Sequence, residues 1–208
     1  MKLKFILAAS VVAFASQVQA APVNLVQNGS FEADAVASGT FIQQANSITN
    51  WTTDQGAFIE IRNNIVGQAS DGVNFVELDS TVNSNIYQTI ATTAGQAYTL
   101  SFDYSPRIDQ LSDTNGISAL WNGSVISVPA IITGAGGVSN VWTTYVFTVI
   151  GTGSDILAFS AEGISDSYGG GIDNVSVNAV PLPAAAFLFA PALLGFMGLR
   201  RKAKNSVA

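Results

Sequence analysis

Carboxylates, hydroxyls and aromatic rings must carry whatever chemistry this sequence does, because its 208 residues include no His and no Cys. That absence excludes disulfides, thiolate and imidazole metal ligands, cysteine nucleophiles and any Ser-His-Asp triad. Two carboxylates can hydrolyse a glycosidic bond when one is held protonated at a fixed distance from the other. With fourteen Asp and Glu in the chain, some pair meets almost any spacing, so a hydrolase reading has no residues of its own. Aromatic rings near carboxylates and amides suit sugar binding, since a ring face stacks on a sugar and polar groups bond its hydroxyls. The available rings are Trp51, Trp121, Trp142, Tyr104 and Tyr168. Trp142 opens a run containing Tyr145, Phe147 and Val149, and Trp51 follows Ile48, which predicts that both pack in a core. Trp121 beside a turn, Tyr168 in a glycine-rich stretch, and Arg107 with Asp109 in the loop 105–115 are the candidate ligand-binding residues. The runs Gly134-Ala135-Gly136-Gly137 and Gly169-Gly170-Gly171 lack the Lys-Ser/Thr ending of a phosphate loop and read as turns.

All fourteen acids lie between Glu32 and Asp173, whereas Lys2, Lys4, Arg200, Arg201, Lys202 and Lys204 are terminal. Residues 21–180 thus set Arg62 and Arg107 against fourteen acids, a net charge of −12. Such a surface repels nucleic acid and anionic lipid and attracts divalent cations. Nucleic-acid binding is excluded.

The elements that position these groups read as strands. In residues 98–104 the apolar Tyr98, Leu100, Phe102 and Tyr104 alternate with polar residues, the pattern of a half-buried antiparallel strand. Similar runs occupy 58–62, 74–79, 86–91, 117–121, 124–128, 142–150, 156–162 and 172–178. Asn122-Gly123 separates two of them, a strong hairpin signal because both positions tolerate positive φ. Roughly nine or ten strands without helical periodicity predict an all-β fold, an antiparallel β-sandwich of the jelly-roll kind.

The two ends read as addresses. Lys2 and Lys4 precede an apolar run, and Val18-Gln19-Ala20 suits a signal peptidase, so residues 1–20 are expected to be a secretory signal peptide. At the other end Val180-Pro181-Leu182-Pro183 leads into a short hydrophobic helix and the basic cluster Arg200-Arg201-Lys202. The basic tail orients that helix with the acidic domain on the exported side. This string resembles the PEP-CTERM sorting signal of Gram-negative bacteria that make exopolysaccharide. The resemblance implies an exosortase as processing partner, transient anchoring in the inner membrane, and delivery to the surface or matrix. Leu182 stands where the family's name has Glu. A permanent single-span anchor is the alternative, since the helix and tail fit both.

The intervening residues, 21–179, carry a second resemblance. Asn28-Gly29-Ser30-Phe31-Glu32, Ala69-Ser70-Asp71-Gly72 and Gly171-Ile172-Asp173-Asn174-Val175 resemble galactose-binding-like jelly rolls of carbohydrate-binding modules and DUF642-type exported domains. The resemblance implies a structural Ca²⁺ held by Glu32 and Asp173, with Asp71 as a further ligand; oxygen donors suit this hard cation. The expected protein is an exported, non-catalytic surface or matrix component, associated with adhesion, biofilm or exopolysaccharide glycan. The alternatives are a carboxylate-dependent polysaccharide hydrolase and an anchored envelope protein without a glycan ligand.

Overall fold

The computed structural model describes residues 23–54 and 57–181. The expected signal peptide, and the sorting segment from Leu182 onward with Pro183, Arg200, Arg201 and Lys202, lie outside the described residues.

Twelve strands follow in chain order: β1 (Thr40–Ala45), β2 (Ser47–Ile48), β3 (Trp51–Thr52), β4 (Phe58–Asn63), β5 (Asn74–Glu77), β6 (Asn85–Ala91), β7 (Ala97–Ser105), β8 (Gly116–Trp121), β9 (Ser124–Val125), β10 (Thr143–Ile150), β11 (Ser154–Glu162) and β12 (Gly171–Ala179). They form two six-stranded antiparallel sheets, ordered β1-β4-β5-β12-β7-β10 and β2-β3-β6-β11-β8-β9. From β5 onward the chain changes sheet at nearly every connection, as in a jelly roll. The expected sandwich is the observed one, and no helix occurs among the described residues.

The alternation in β7 does what the sequence requires. Tyr98, Leu100, Phe102 and Tyr104 are all buried between the sheets. Phe102 meets Phe159 of β11 edge to face, with centroids 4.8 Å apart, and Phe159 lies 6.2 Å from Trp51. Aromatic contacts thus join the two sheets, each buried ring contributing roughly 1.5–3 kcal/mol over exposure. The β8–β9 hairpin forms at Asn122-Gly123, with φ of +51° and +77°. Strands β1 to β3 escaped the pattern reading because their short, polar segments do not alternate; β1 is an almost wholly exposed edge strand.

Trp51 is in the core, as expected, but two aromatic expectations fail. Trp121 has the strand parity of Ile117 and Ala119, so its ring faces the core and its Nε1 donates to the Ile150 carbonyl at 3.2 Å. It is 7% exposed and offers no ring face to a ligand; strand parity overrides its nearness to the turn. Trp142 is three residues from Tyr145 and therefore takes the opposite parity. Tyr145 and Phe147 pack on the core, whereas Trp142 lies half-buried on the outside of the sheet.

The opening and closing motifs meet. Val175 and Val177 donate to the Gly29 carbonyl and Asn24 Oδ1, each at 2.9 Å, so residues 24–29 run alongside β12. A Cβ on Gly29 would stand 2.1 Å from the Val175 carbonyl oxygen, which explains the glycine.

Asp155 stitches one end of the sandwich. It is fully buried and accepts from Asn122 Nδ2 at 2.6 Å, Thr152 N at 2.9 Å, Thr152 Oγ1 at 2.7 Å, and the Thr92 hydroxyl. Burial alone would push its carboxyl up, but these donors outweigh burial and hold it down at about 2. A folded value below the unfolded one stabilises above the unfolded pKa and is lost as pH falls toward the folded one. Asp155→Asn is expected to cost about 1–2 kcal/mol near neutral pH, less than the whole shift implies because the amide oxygen still accepts from part of the network. Urea unfolding near pH 7 and near pH 2.5 checks it: the difference between variant and wild type should shrink in acid.

Candidate functional site

Strand residues pointing away from the sandwich core should meet water. On the outer face of the β1–β10 sheet they do not: Glu60, Arg62, Glu77, Asp103 and Asp173 are each at most 5% exposed. Burying charge costs several kcal/mol unless partners replace the lost water. Two sets of partners do so.

The first is a row of ion pairs. Glu60 and Arg62 of β4 approach to 2.5 Å, and Arg62 Nε lies 3.0 Å from Glu77 of β5. Arg107 reaches in from the loop after β7, its Nη1 contacting both Glu77 oxygens at 2.6 and 2.7 Å. Gly169 N also donates to Glu77 at 3.0 Å. The Tyr168 ring covers the Arg107 guanidinium, 4.6 Å from centroid to Cζ, a cation–π contact that leaves the tyrosine 42% exposed.

The second is residues 64–73, a strap that leaves β4 and crosses the sheet before returning to β5. Asp173 Oδ2 accepts from Ser70 N at 2.7 Å and Asp71 N at 2.8 Å, while Oδ1 accepts from Asn174 N at 2.7 Å. Asp103, opposite Asp173 on β7, accepts from Ser70 Oγ and Thr144 Oγ1, each at 2.6 Å. Ser70 therefore ties both aspartates with one residue. A bulge after Asp173 interrupts the β12–β7 register. Glu32 holds the strap's other end, its Oε1 accepting from Val73 N and Asn74 N at 2.7 Å.

The far end of the strap reaches Trp142, whose Nε1 donates to the Gln68 carbonyl at 2.9 Å. Asn140 Oδ1 accepts from Gln68 N at 2.8 Å. Phe75 packs edge-on to the indole at 5.6 Å, and both rings lie over Gly171, where a Cβ would be 3.1 Å from Phe75 and 3.2 Å from Trp142. A cleft of about 390 Å³ opens here, lined by Trp142, strap residues Gly67, Gln68 and Ala69, and Ile108, Val138, Ser139 and Asn140.

Of the expected ligand-binding residues, Arg107 and Tyr168 come together, Asp109 lies exposed two residues after Arg107 with φ +57°, and Trp121 is elsewhere, in the core. Sequence reasoning missed Trp142 and Gln68; the three-residue spacing from Trp142 to Tyr145 was the available signal. The expected calcium ligands Glu32, Asp71 and Asp173 all belong to the strap's anchorage, but Asp71 contributes its backbone N–H and its side chain is exposed. Among the described residues no group of three or more carboxylates gathers as a metal cluster. Beside Glu32, however, Asn74 Oδ1 is buried without a donor, while its Nδ2 donates to the Phe31 and Asp34 carbonyls at 3.0 and 3.1 Å. Such an orphan oxygen suits a hard cation.

Burial pushes the Asp173 carboxyl up to about 7, against the pull of its three backbone N–H donors. A folded value above the unfolded one means that folding takes up a proton between about pH 4 and 7. Stability from this group is therefore greatest in acid and falls as pH rises toward neutrality, by at most about 1.4 kcal/mol per pH unit. Urea unfolding across that window should show a negative slope for wild type that Asp173→Asn reduces by up to one proton's worth.

Comparison with known proteins agrees with this geometry at the level of fold. A Stig cyclase, FisC from Fischerella sp. TAU, superposes with a TM-score of 0.55 at 14% identity, over 78% of this chain and 100% of that one. TmCBM61, solved in complex with β-1,4-galactotriose, gives a TM-score of 0.52 at 20% identity, over 76% of this chain and 99% of that one. Among curated sequences, multifunctional-autoprocessing repeats-in-toxin proteins of Vibrio cholerae serotype O1 and Vibrio vulnificus are 32% and 31% identical over 100 residues, 47% of this chain. The matched stretch is 2% of the length of those relatives. The family match supports the DUF642-type resemblance of the central domain, and the superposition on TmCBM61 supports its sandwich fold. Residues 24–178 match the family described as "Protein of unknown function (DUF642)", and the chain belongs to that family.

Proposed function

We propose that this chain is an exported, non-catalytic glycan-binding module of a bacterial surface or exopolysaccharide matrix. The observation that carries the reading is the Tyr168 ring, open to solvent on one side and braced on Arg107, which Glu77 in turn fixes from below. A ring held by buried charge loses little freedom on binding, as a sugar-stacking platform requires. The sandwich shared with TmCBM61 supports the same reading.

The rival reading, a polysaccharide hydrolase, needs one carboxyl free to protonate a leaving group and a second facing the sugar. On this face Glu60 and Glu77 are spent in ion pairs, and Asp103 and Asp173 in holding the strap. That allocation favours binding over turnover.

The export and sorting steps belong to the same proposal. A signal peptidase removes residues 1–20, and an exosortase acts at the segment beginning Val180-Pro181, after transient anchoring by the C-terminal apolar segment. Val180 itself still pairs with the sandwich, its N–H donating to the Ala97 carbonyl at 2.9 Å. The chain recovered from the matrix should lack both terminal segments by mass; an intact tail in the membrane fraction would favour permanent anchorage.

A structural calcium ion is proposed at Glu32 and Asn74. Bound there, it would screen the acidic anchorage of the strap. EDTA is expected to lower the Tm and Ca²⁺ to restore it, and Glu32→Gln to blunt both responses. A melt indifferent to EDTA would leave the strap held by N–H donors alone.

Sedimentation of the mature chain with the host's exopolysaccharide and with β-1,4-galactan, while reducing ends are assayed, tests the function. Binding without release is expected, weakened about tenfold in Tyr168→Ala, a loss of about 1.4 kcal/mol. Release of reducing ends would make the chain an enzyme.

A further inference from the structure

The cleft beside Trp142 has the composition of a binding site and takes no part in holding the fold's charges. Its indole is immobilised on two sides, by the Gln68 carbonyl at 2.9 Å and by the edge of Phe75. Ile108 and the exposed Val138 supply apolar wall. Gln68 uses only its backbone to brace the ring and the strap; its side-chain amide and the Ser139 hydroxyl have no hydrogen-bond partner among the described residues. Among the described residues no charged side chain lines the cleft.

We propose that this cleft is a subsite for an uncharged sugar residue, stacked on Trp142 and bonded by the Gln68 amide and the Ser139 hydroxyl. This deepens the glycan-binding reading and rests on it. A fixed aromatic ring beside an amide and a hydroxyl matches the alternating apolar C–H and hydroxyl surfaces of a hexose. The volume of about 390 Å³ lies near the lower end of small-ligand sites and suits a short stretch of glycan. Charge fixes the class further. The lining offers no cation to pair with a uronate or sulfate, and the surrounding −12 of residues 21–180 repels both. Ile108 follows Arg107 directly, so the cleft and the Arg107–Tyr168 pair flank one short piece of chain and can engage one oligosaccharide.

The tryptophans make the site readable in solution. Trp51 and Trp121 are 1% and 7% exposed, so of the three tryptophans Trp142 is the one within reach of an aqueous quencher. Acrylamide quenching of the mature chain should be suppressed by β-1,4-galactotriose or another neutral oligosaccharide, and not by oligogalacturonate. Calorimetry should show affinity falling at least tenfold in Trp142→Ala. Gln68→Ala keeps the backbone brace and the fold, and should weaken binding several-fold with quenching of the free protein unchanged. If glycan binds wild type but neither variant weakens it, the subsite is wrong and the glycan-binding function stands. If wild type binds no oligosaccharide or polysaccharide at all, both fall. Preference for oligogalacturonate, or protection by an apolar peptide in place of any sugar, would overturn the neutral-sugar assignment.

Discussion

A buried carboxylate, Asp173, sets the terms for the outer face of the β1–β10 sheet. An anion removed from water requires donors, and two of its three come from the backbone of Ser70 and Asp71. The strap must therefore lie across the sheet at that point. Once it does, Ser70 Oγ reaches Asp103 and the Gln68 carbonyl reaches the Trp142 indole. Glu32 closes the arrangement from the opening motif by holding Val73 and Asn74. One desolvated charge thus places a loop, and the loop places an aromatic ring.

The same face handles charge in a second, independent way. Glu60, Arg62, Glu77 and Arg107 balance one another, two acids against two bases, so the row is neutral as a unit. Replacing such a row by apolar residues is often neutral or stabilising, so stability alone is a weak reason for it to exist. What the row does achieve is orientation: Arg107 is held along Glu77 with its free face under Tyr168. Only two Arg serve residues 21–180, and both are in this row. The remaining acids leave the rest of the domain anionic.

Local patterns were legible in the sequence and long-range covers were not. The alternation of 98–104 and the Asn122-Gly123 turn depend on neighbours a few residues away, and both formed as read. The opening and closing motifs proved to be physical partners, Gly29 against Val175. The burial of the outer face could not be read, because Ser70 and Asp173 are 103 positions apart and no periodicity links them. Strand alternation predicts which side a residue takes, and says nothing of what another loop lays over that side. The motif residues Glu32 and Asp173 do meet around the strap, each accepting from its N–H groups, and the orphan oxygen beside Glu32 is on Asn74, which no motif marked. Trp121 and Trp142 exchanged their expected places for one reason, parity counted from the strand and not from the nearest turn.

Rigidity distinguishes Tyr168 from Trp142, two of the rings that face solvent on this side. Tyr168 sits in the loop between β11 and β12 and is steadied by a charge, whose hold weakens as solvent and salt gain access. Trp142 immediately precedes β10, hydrogen-bonded through its nitrogen and packed by Phe75, so its orientation depends on backbone geometry. Gln68 is the residue that couples this ring to the buried aspartates, because its carbonyl holds the indole while Ser70, two positions on, holds Asp103 and Asp173. Asp173 anchors the strap through the N–H groups of Ser70 and Asp71, so its protonation acts on the backbone that braces the ring.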